Sequence, residues 1–205
     1  MALSLRIEKK LAREGYKLIA GVDEVGRGPL AGPIVAAAVI FPPGINIPGL
    51  NDSKKLSRKQ REALYPLIRE KAIGCGIAAI NNRVIDRINI GRANRLAMKR
   101  AVLKMAVRPD YLLIDGPMIR IDLPIEQEGI TGGDHKCASI AAASIIAKVT
   151  RDRIMVKYHR KYPDYGFDEH KGYGTKKHLQ RLMKYGPTSL HRRSFYPVSE
   201  LAGAA

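Results

Sequence analysis

Four acidic residues occupy the positions in this chain where chemistry could be done. Asp23 and Glu24 sit side by side in Gly21-Val22-Asp23-Glu24-Val25-Gly26-Arg27-Gly28-Pro29-Leu30-Ala31-Gly32-Pro33, between the apolar segments 18–20 and 34–41. Asp115 closes the apolar run Tyr111-Leu112-Leu113-Ile114 at Gly116-Pro117, and Asp134 follows Gly132-Gly133. Burying one unpaired carboxylate costs several kcal/mol, and burying two side by side costs more. A divalent ion is the leading candidate for the offsetting charge, and hard oxygen ligands of this kind select Mg²⁺ or Mn²⁺. In a sheet with a parallel part, ligands bind beyond the carboxyl ends of the strands, where acids from different strands can share ions. Such a set suits two-metal phosphodiester hydrolysis, with ions roughly 4 Å apart, one activating water and the other stabilising the departing oxygen.

Taken singly, each acid has an ordinary alternative. Asp23-Glu24 could be an exposed pair before a turn, Asp115 a turn residue and Asp134 a helix cap. It is their joint occurrence in a strongly basic chain that favours the metal reading. Other chemistries fare poorly. The glycines of 26–32 lack the Gly-Lys-Ser/Thr of a phosphate loop, and no Gly-x-Ser-x-Gly elbow is present. The five histidines lack zinc spacing, and His170 and His178 are expected on a loop and a helix surface.

Positioning these acids requires strands that deliver them. Strands are expected over 17–25, 34–41, 73–80, 111–114 and 125–131. Helices are expected over 4–14, 58–72 with a Ser57/Gln60 capping box, 84–90, 92–106, 138–162 and 176–184. Pro66 threatens a kink in the second helix. The stretch Ala138 to Ala147 is small and apolar on nearly every side, as in a buried helix packed closely on its neighbours. Side chains alternate along a strand, so bringing Asp23 and Glu24 to one site requires a bend or bulge at Glu24-Val25-Gly26. The order of elements implies an α/β or α+β layer fold with a mixed sheet. No linker divides residues 1–205, so one domain is expected. Residues 1–16 would form a helical extension, and 165–205 a loop, a helix and a basic tail at His191-Arg192-Arg193.

The 205 residues carry 36 Lys and Arg against 19 Asp and Glu, a formal charge of +17. That excess points to a polyanionic partner, nucleic acid first. A membrane is not expected: no apolar run approaches bilayer-spanning length, and the apolar start is too short for a signal peptide. Cys75 and Cys137 lie far apart and read as free thiols in a reducing cytoplasm.

The chain resembles bacterial type 2 ribonuclease H (ribonuclease HII). The resemblance rests on residues 21–33, Asp52-Ser53-Lys54-Lys55-Leu56-Ser57, Leu113-Ile114-Asp115-Gly116, Gly133-Asp134, residues 141–153, His170-Lys171-Gly172-Tyr173-Gly174-Thr175 and His191-Arg192-Arg193-Ser194-Phe195. These span nearly the whole chain in order. The resemblance implies a ribonuclease H-like fold with a mixed central sheet flanked by helices. It also implies endonucleolytic cleavage of RNA in RNA–DNA hybrids and of single ribonucleotides in duplex DNA, leaving 3′-hydroxyl and 5′-phosphate ends. The family's metal-binding carboxylates fall on Asp23, Glu24, Asp115 and Asp134. Its ribose-contacting motif falls on Gly26, Arg27 and Gly28, its junction-sensing tyrosine on Tyr173, and its phosphate-holding lysine on Lys54. A 2′-hydroxyl is what separates RNA from DNA, and glycines let a backbone approach it. A monomer is expected. Asp152 is expected to organise an ion pair rather than a metal. Val25 stands where alanine is commoner, and His135 beside Asp134 is unusual for that segment. Two other readings stay open, a basic binding module without catalysis and a different two-metal nuclease of the same fold class.

Overall fold

A computed structural model describes residues 5–203. The start of the first expected helix, Ser4, lies outside them. Five strands form one sheet: β1 (Ile19–Val25), β2 (Ile34–Ile40), β3 (Gly74–Ile80), β4 (Tyr111–Asp115) and β5 (Glu126–Ile130), in the order β3-β2-β1-β4-β5. β1 pairs antiparallel with β2 and parallel with β4, so the expected mixed sheet is present with β1 at its centre. β2 is buried at all seven positions and lies between β1 and β3.

Helix α1 (Arg6–Arg13) precedes the sheet, anchored by Leu11, and α2 (Arg58–Lys71) follows β2. The Ser57–Gln60 capping box forms in full. Pro66 does not interrupt α2: it is solvent-exposed, so the backbone acceptor it deprives of a partner can turn to water. The two helices expected over 84–106 are the halves of α3 (Asn82–Leu103), which breaks at Asn89 with φ 62°. The Asn89 side chain accepts from the Arg92 amide and so starts the second half.

After β5 come α4 (Gly133–Lys136) and α5 (Ala138–Lys161), the buried helix the small residues announced. α5 covers β1 and β2 on one face of the sheet, and α3 packs on the other. α5 comes close to β1 at Gly21, where an added Cβ would lie 2.1 Å from the Ser139 carbonyl carbon and 2.2 Å from the Ile140 nitrogen. Residues 165–175, expected as a loop, contain α6 (Phe167–His170). α7 (Lys176–Tyr185) and α8 (Val198–Gly203) complete the chain.

The expected basic tail is not a tail. His191 and Arg192 are 1 % and 0 % exposed. Ala31 and His191 form an isolated bridge, the Gly32 amide donates to the Leu190 carbonyl, and the Arg192 amide donates to the Leu30 carbonyl. The C-terminal segment therefore lies against the turn that follows Asp23-Glu24.

Candidate active site

Asp23, Glu24, Gly26, Arg27, Gly28, Lys54, Asp115 and Tyr173 line one cleft of about 330 Å³ at the carboxyl end of β1. Eight of the nine expected site residues thus share a surface, and the ninth, Asp134, is reached through Lys54. The β1–β2 register runs unbroken to Val25↔Val35, so no bulge forms. The chain instead turns at Gly26, with φ +96°, where a Cβ would also meet the Arg151 side chain at 2.3 Å. On its other side β1 is paired only as far as Val22↔Ile114, so Asp23 and Glu24 extend beyond the β4 ladder at the open end of the sheet.

Asp23 is buried, and its carboxyl is pushed well above the usual range by burial, then by the charges of Glu24 and Asp115. Its Oδ1 accepts from the Glu24 amide at 2.7 Å. Glu24 is raised by burial and by Asp115, against the pull of Arg27. Its Oε1 lies 3.5 Å from Arg27 Nη1, while its Oε2 is buried with no hydrogen-bond partner. Asp115 accepts from the Gly133 amide at 2.8 Å, and burial nonetheless raises its carboxyl. Three carboxylates with too few donors, one of them carrying an orphaned buried oxygen, are a donor set that fits a hard divalent cation.

Asp134 differs. It is buried on α4, and burial alone would raise its carboxyl. The Lys54 ammonium at 2.9 Å, with help from His135, reverses that and lowers it. Lys54 is itself largely exposed and reaches both Asp134 and the cleft. Among the described residues, the group that already brings three ligand atoms within 4.8 Å of one another is Asp52, Asp134 and His135. Asp134 therefore belongs to that group, and its charge also bears on the cleft acid Asp115.

Sequence reasoning missed several neighbours. Ser53 and Ser144 join their hydroxyls at 2.8 Å, and Ser144 also reaches Asp23. A serine interrupting an otherwise apolar helix was the available signal. Asp52 caps its loop by accepting from the Lys54 amide at 2.9 Å. Asp152, as expected, pairs with Lys148 at 2.8 Å.

Tyr173 is 40 % exposed at the rim, with the Arg151 guanidinium 5.7 Å from its ring centroid. His178 is not a surface residue: it is fully buried, and its Nδ1 donates to the Tyr173 carbonyl at 2.9 Å. That leaves His178 Nε2 as an acceptor for His191 Nε2 at 3.1 Å, while His191 Nδ1 accepts from the Thr188 amide. His170, half-buried, stacks on His178 at 4.3 Å. Burial holds His178 and His191 neutral, pushing them down to about 4 and about 3.

The comparisons agree with this geometry. The ribonuclease HII family model matches residues 20–198. A ribonuclease HII of Enterococcus faecalis is 54 % identical over 196 residues, covering 96 % of this chain and 76 % of that protein. One of Lactobacillus delbrueckii subsp. bulgaricus is 57 % identical over 187 residues, covering 91 % and 72 %. The crystal structure of ribonuclease H2 from Pyrococcus horikoshii superposes with TM-score 0.78 at 25 % identity, over 91 % of this chain and 98 % of that one. Among the described residues no helix is long and apolar enough to cross a membrane. The sheet, the acid-lined cleft and the relatives lead to one conclusion: the chain belongs to the ribonuclease HII family, type 2 ribonucleases H that act as divalent-metal-dependent endonucleases on RNA–DNA hybrids.

Proposed function

We propose that this endonuclease cleaves on the 5′ side of single ribonucleotides embedded in duplex DNA as well as within hybrids, leaving 3′-hydroxyl and 5′-phosphate ends. Asp23, Glu24, Asp115 and Asp134 would hold two divalent ions, Mg²⁺ or Mn²⁺. Bound there, the ions supply an activated water and charge stabilisation of the departing oxygen. The observation that carries the reading is the acid cluster of buried Asp23 with half-buried Glu24 and Asp115, left short of donors beside an open backbone turn.

The chain's own residues supply recognition. An added Cβ at Gly28 would meet nothing within 4 Å, so the backbone there is open to a sugar. Gly26, Arg27 and Gly28 would contact the 2′-hydroxyl and adjacent phosphate. Tyr173 would lie against the following deoxyribose. Lys54 would hold a backbone phosphate, exchanging part of its contact with Asp134 for the substrate. The chain would act as a monomer, in a cytoplasm where Cys75 and Cys137 would stay reduced. The test is a labelled duplex containing one ribonucleotide, incubated with Mg²⁺, Mn²⁺ or EDTA, with product ends mapped. Cleavage 5′ of the ribonucleotide, only with metal, supports the proposal. An uncut duplex, or cleavage of all-DNA controls, refutes it.

A further inference from the structure

The two largest fully buried side chains among the described residues are arginines, Arg151 and Arg192. Burial of Arg192 is costly enough to pull its guanidinium down to about 9. An aliphatic side chain would fill the same space without that cost. What the guanidinium adds is a planar fork of donors. Arg192 donates from Nη2 to the Gly26 carbonyl at 2.6 Å and from Nη1 to the Arg27 carbonyl at 2.7 Å. It also donates from Nε and Nη2 to the Gly32 carbonyl at 3.1 and 3.0 Å.

The consequence follows from peptide geometry. In a trans peptide the C=O and N–H point in opposite directions. With the carbonyls of Gly26 and Arg27 turned inward onto Arg192, the N–H groups of Arg27 and Gly28, which belong to the same two peptide planes, are turned the other way. Neither amide donates to any group among the described residues. Both belong to residues that line the cleft. Two unpartnered donors held side by side suit a hydroxyl oxygen or a phosphate oxygen.

We propose that Arg192 is the positioning residue of the ribose-reading turn, fixing two peptide planes so that the Arg27 and Gly28 amides face the 2′-hydroxyl side of the scissile nucleotide. This rests on the reading of Gly26-Arg27-Gly28 given above. Arg151 extends the brace, donating to the carbonyls of Ala31, Pro33 and Lys171, and so ties the turn to the segment that carries Tyr173. Asn82 holds the C-terminal segment in place by donating to the carbonyls of Ser189 and His191, both at 3.0 Å.

The test compares equilibrium binding, in EDTA, of a duplex with one ribonucleotide and the same duplex in all-DNA form. Mn²⁺-induced thermal stabilisation of the protein is measured alongside. Arg192→Lys, which cannot span three carbonyls, lowers the preference for the ribonucleotide about tenfold, the loss of one or two charge-assisted hydrogen bonds, and leaves the Mn²⁺ shift intact. Asn82→Ala, which loosens the same segment without touching the guanidinium, lowers the preference by a smaller factor and serves if Arg192→Lys fails to fold. An unchanged preference in the folded variants overturns the proposal. So does a Mn²⁺ shift that falls in step with the preference, because the effect would then be general disorder of the site. A wild-type chain with no ribonucleotide preference sinks the underlying reading of the turn, separately from the role of Arg192.

Discussion

Asp23→Asn should make the metal-free protein more stable while abolishing its activity. Asn is isosteric, and its Oδ1 can continue to accept from the Glu24 amide, now 2.7 Å from Asp23 Oδ1. What disappears is a buried charge facing those of Glu24 and Asp115. Two like charges about 5 Å apart repel by about 3 kcal/mol at an effective dielectric constant of about 20. Partial protonation and cleft water already relieve some of this, so the net gain is about 1–2 kcal/mol. For a chain of this size that raises the melting temperature by about 2–8 °C.

The sign of the pH dependence follows from the raised carboxyls of Asp23, Glu24 and Asp115. The folded chain keeps protons that the unfolded chain releases. The cluster's favourable contribution is therefore present in acid and is lost as pH rises through the raised values. The advantage of the variant in EDTA grows with pH accordingly. Divalent ion reverses the order: at about 100 times its Kd, wild type gains about 2.7 kcal/mol, and the variant gains little. Thermal unfolding at pH 8, in EDTA and in MnCl₂, measures both effects. A variant that melts below wild type in EDTA would show that Asp23 is already compensated in the free protein, and the argument from uncompensated charge would fail.

Tyr173→Ala should reduce cleavage of a single-ribonucleotide duplex more than cleavage of a long hybrid, where every residue carries a 2′-hydroxyl; equal losses in kcat/KM would count against a junction role. Gly21→Ala forces a methyl to within 2.2 Å of the α5 backbone and should cost about 3 kcal/mol or more, read as a lower urea midpoint. A near-normal midpoint would mean that α5 shifts freely. His178 and His191, held neutral down to about 4 and about 3, take up protons near pH 6.5 once unfolded. Stability should be full above that pH and fall on acidification, by up to about 2.7 kcal/mol per pH unit while both differ. The cleft acids pull the stability profile the other way, so the pair is read by imidazole NMR: a ring of His178 or His191 titrating near pH 6.5 in the folded protein would refute the neutral, buried pair.

Much of this architecture was legible because local pattern and tertiary environment agree. Apolar runs became strands, the small residues of 138–147 became the helix on β1, and polar residues closing apolar strands became the cleft acids. Where sequence reasoning fell short, the deciding contact was distant. Arg192 reads as a surface cation until it meets carbonyls some 160 positions earlier in the chain. His178 carries no local sign that it will hold the Tyr173 carbonyl and face His191. The departure expected at Glu24-Val25-Gly26 comes as a bend at Gly26 and not as a bulge, because β1 outruns β4, which frees the strand end without breaking its ladder with β2. Pro66 fits its helix because its missing bond faces solvent, which periodicity alone does not reveal.

The pairing of the C-terminal segment with the Gly28–Pro33 turn has a consequence for the order in which the enzyme is made. Synthesis proceeds from the N-terminus. The acids of β1 and β4 and the α5 helix behind them are all translated before residue 162. The Gly26-Arg27-Gly28 turn lacks its brace until Arg192 has been added, some 165 residues after the turn itself. Such long-range contacts close late. The proposed ligand acids are thus in the chain before the segment that braces the turn, so any sugar selectivity conferred by the proposed turn is expected only of the finished molecule.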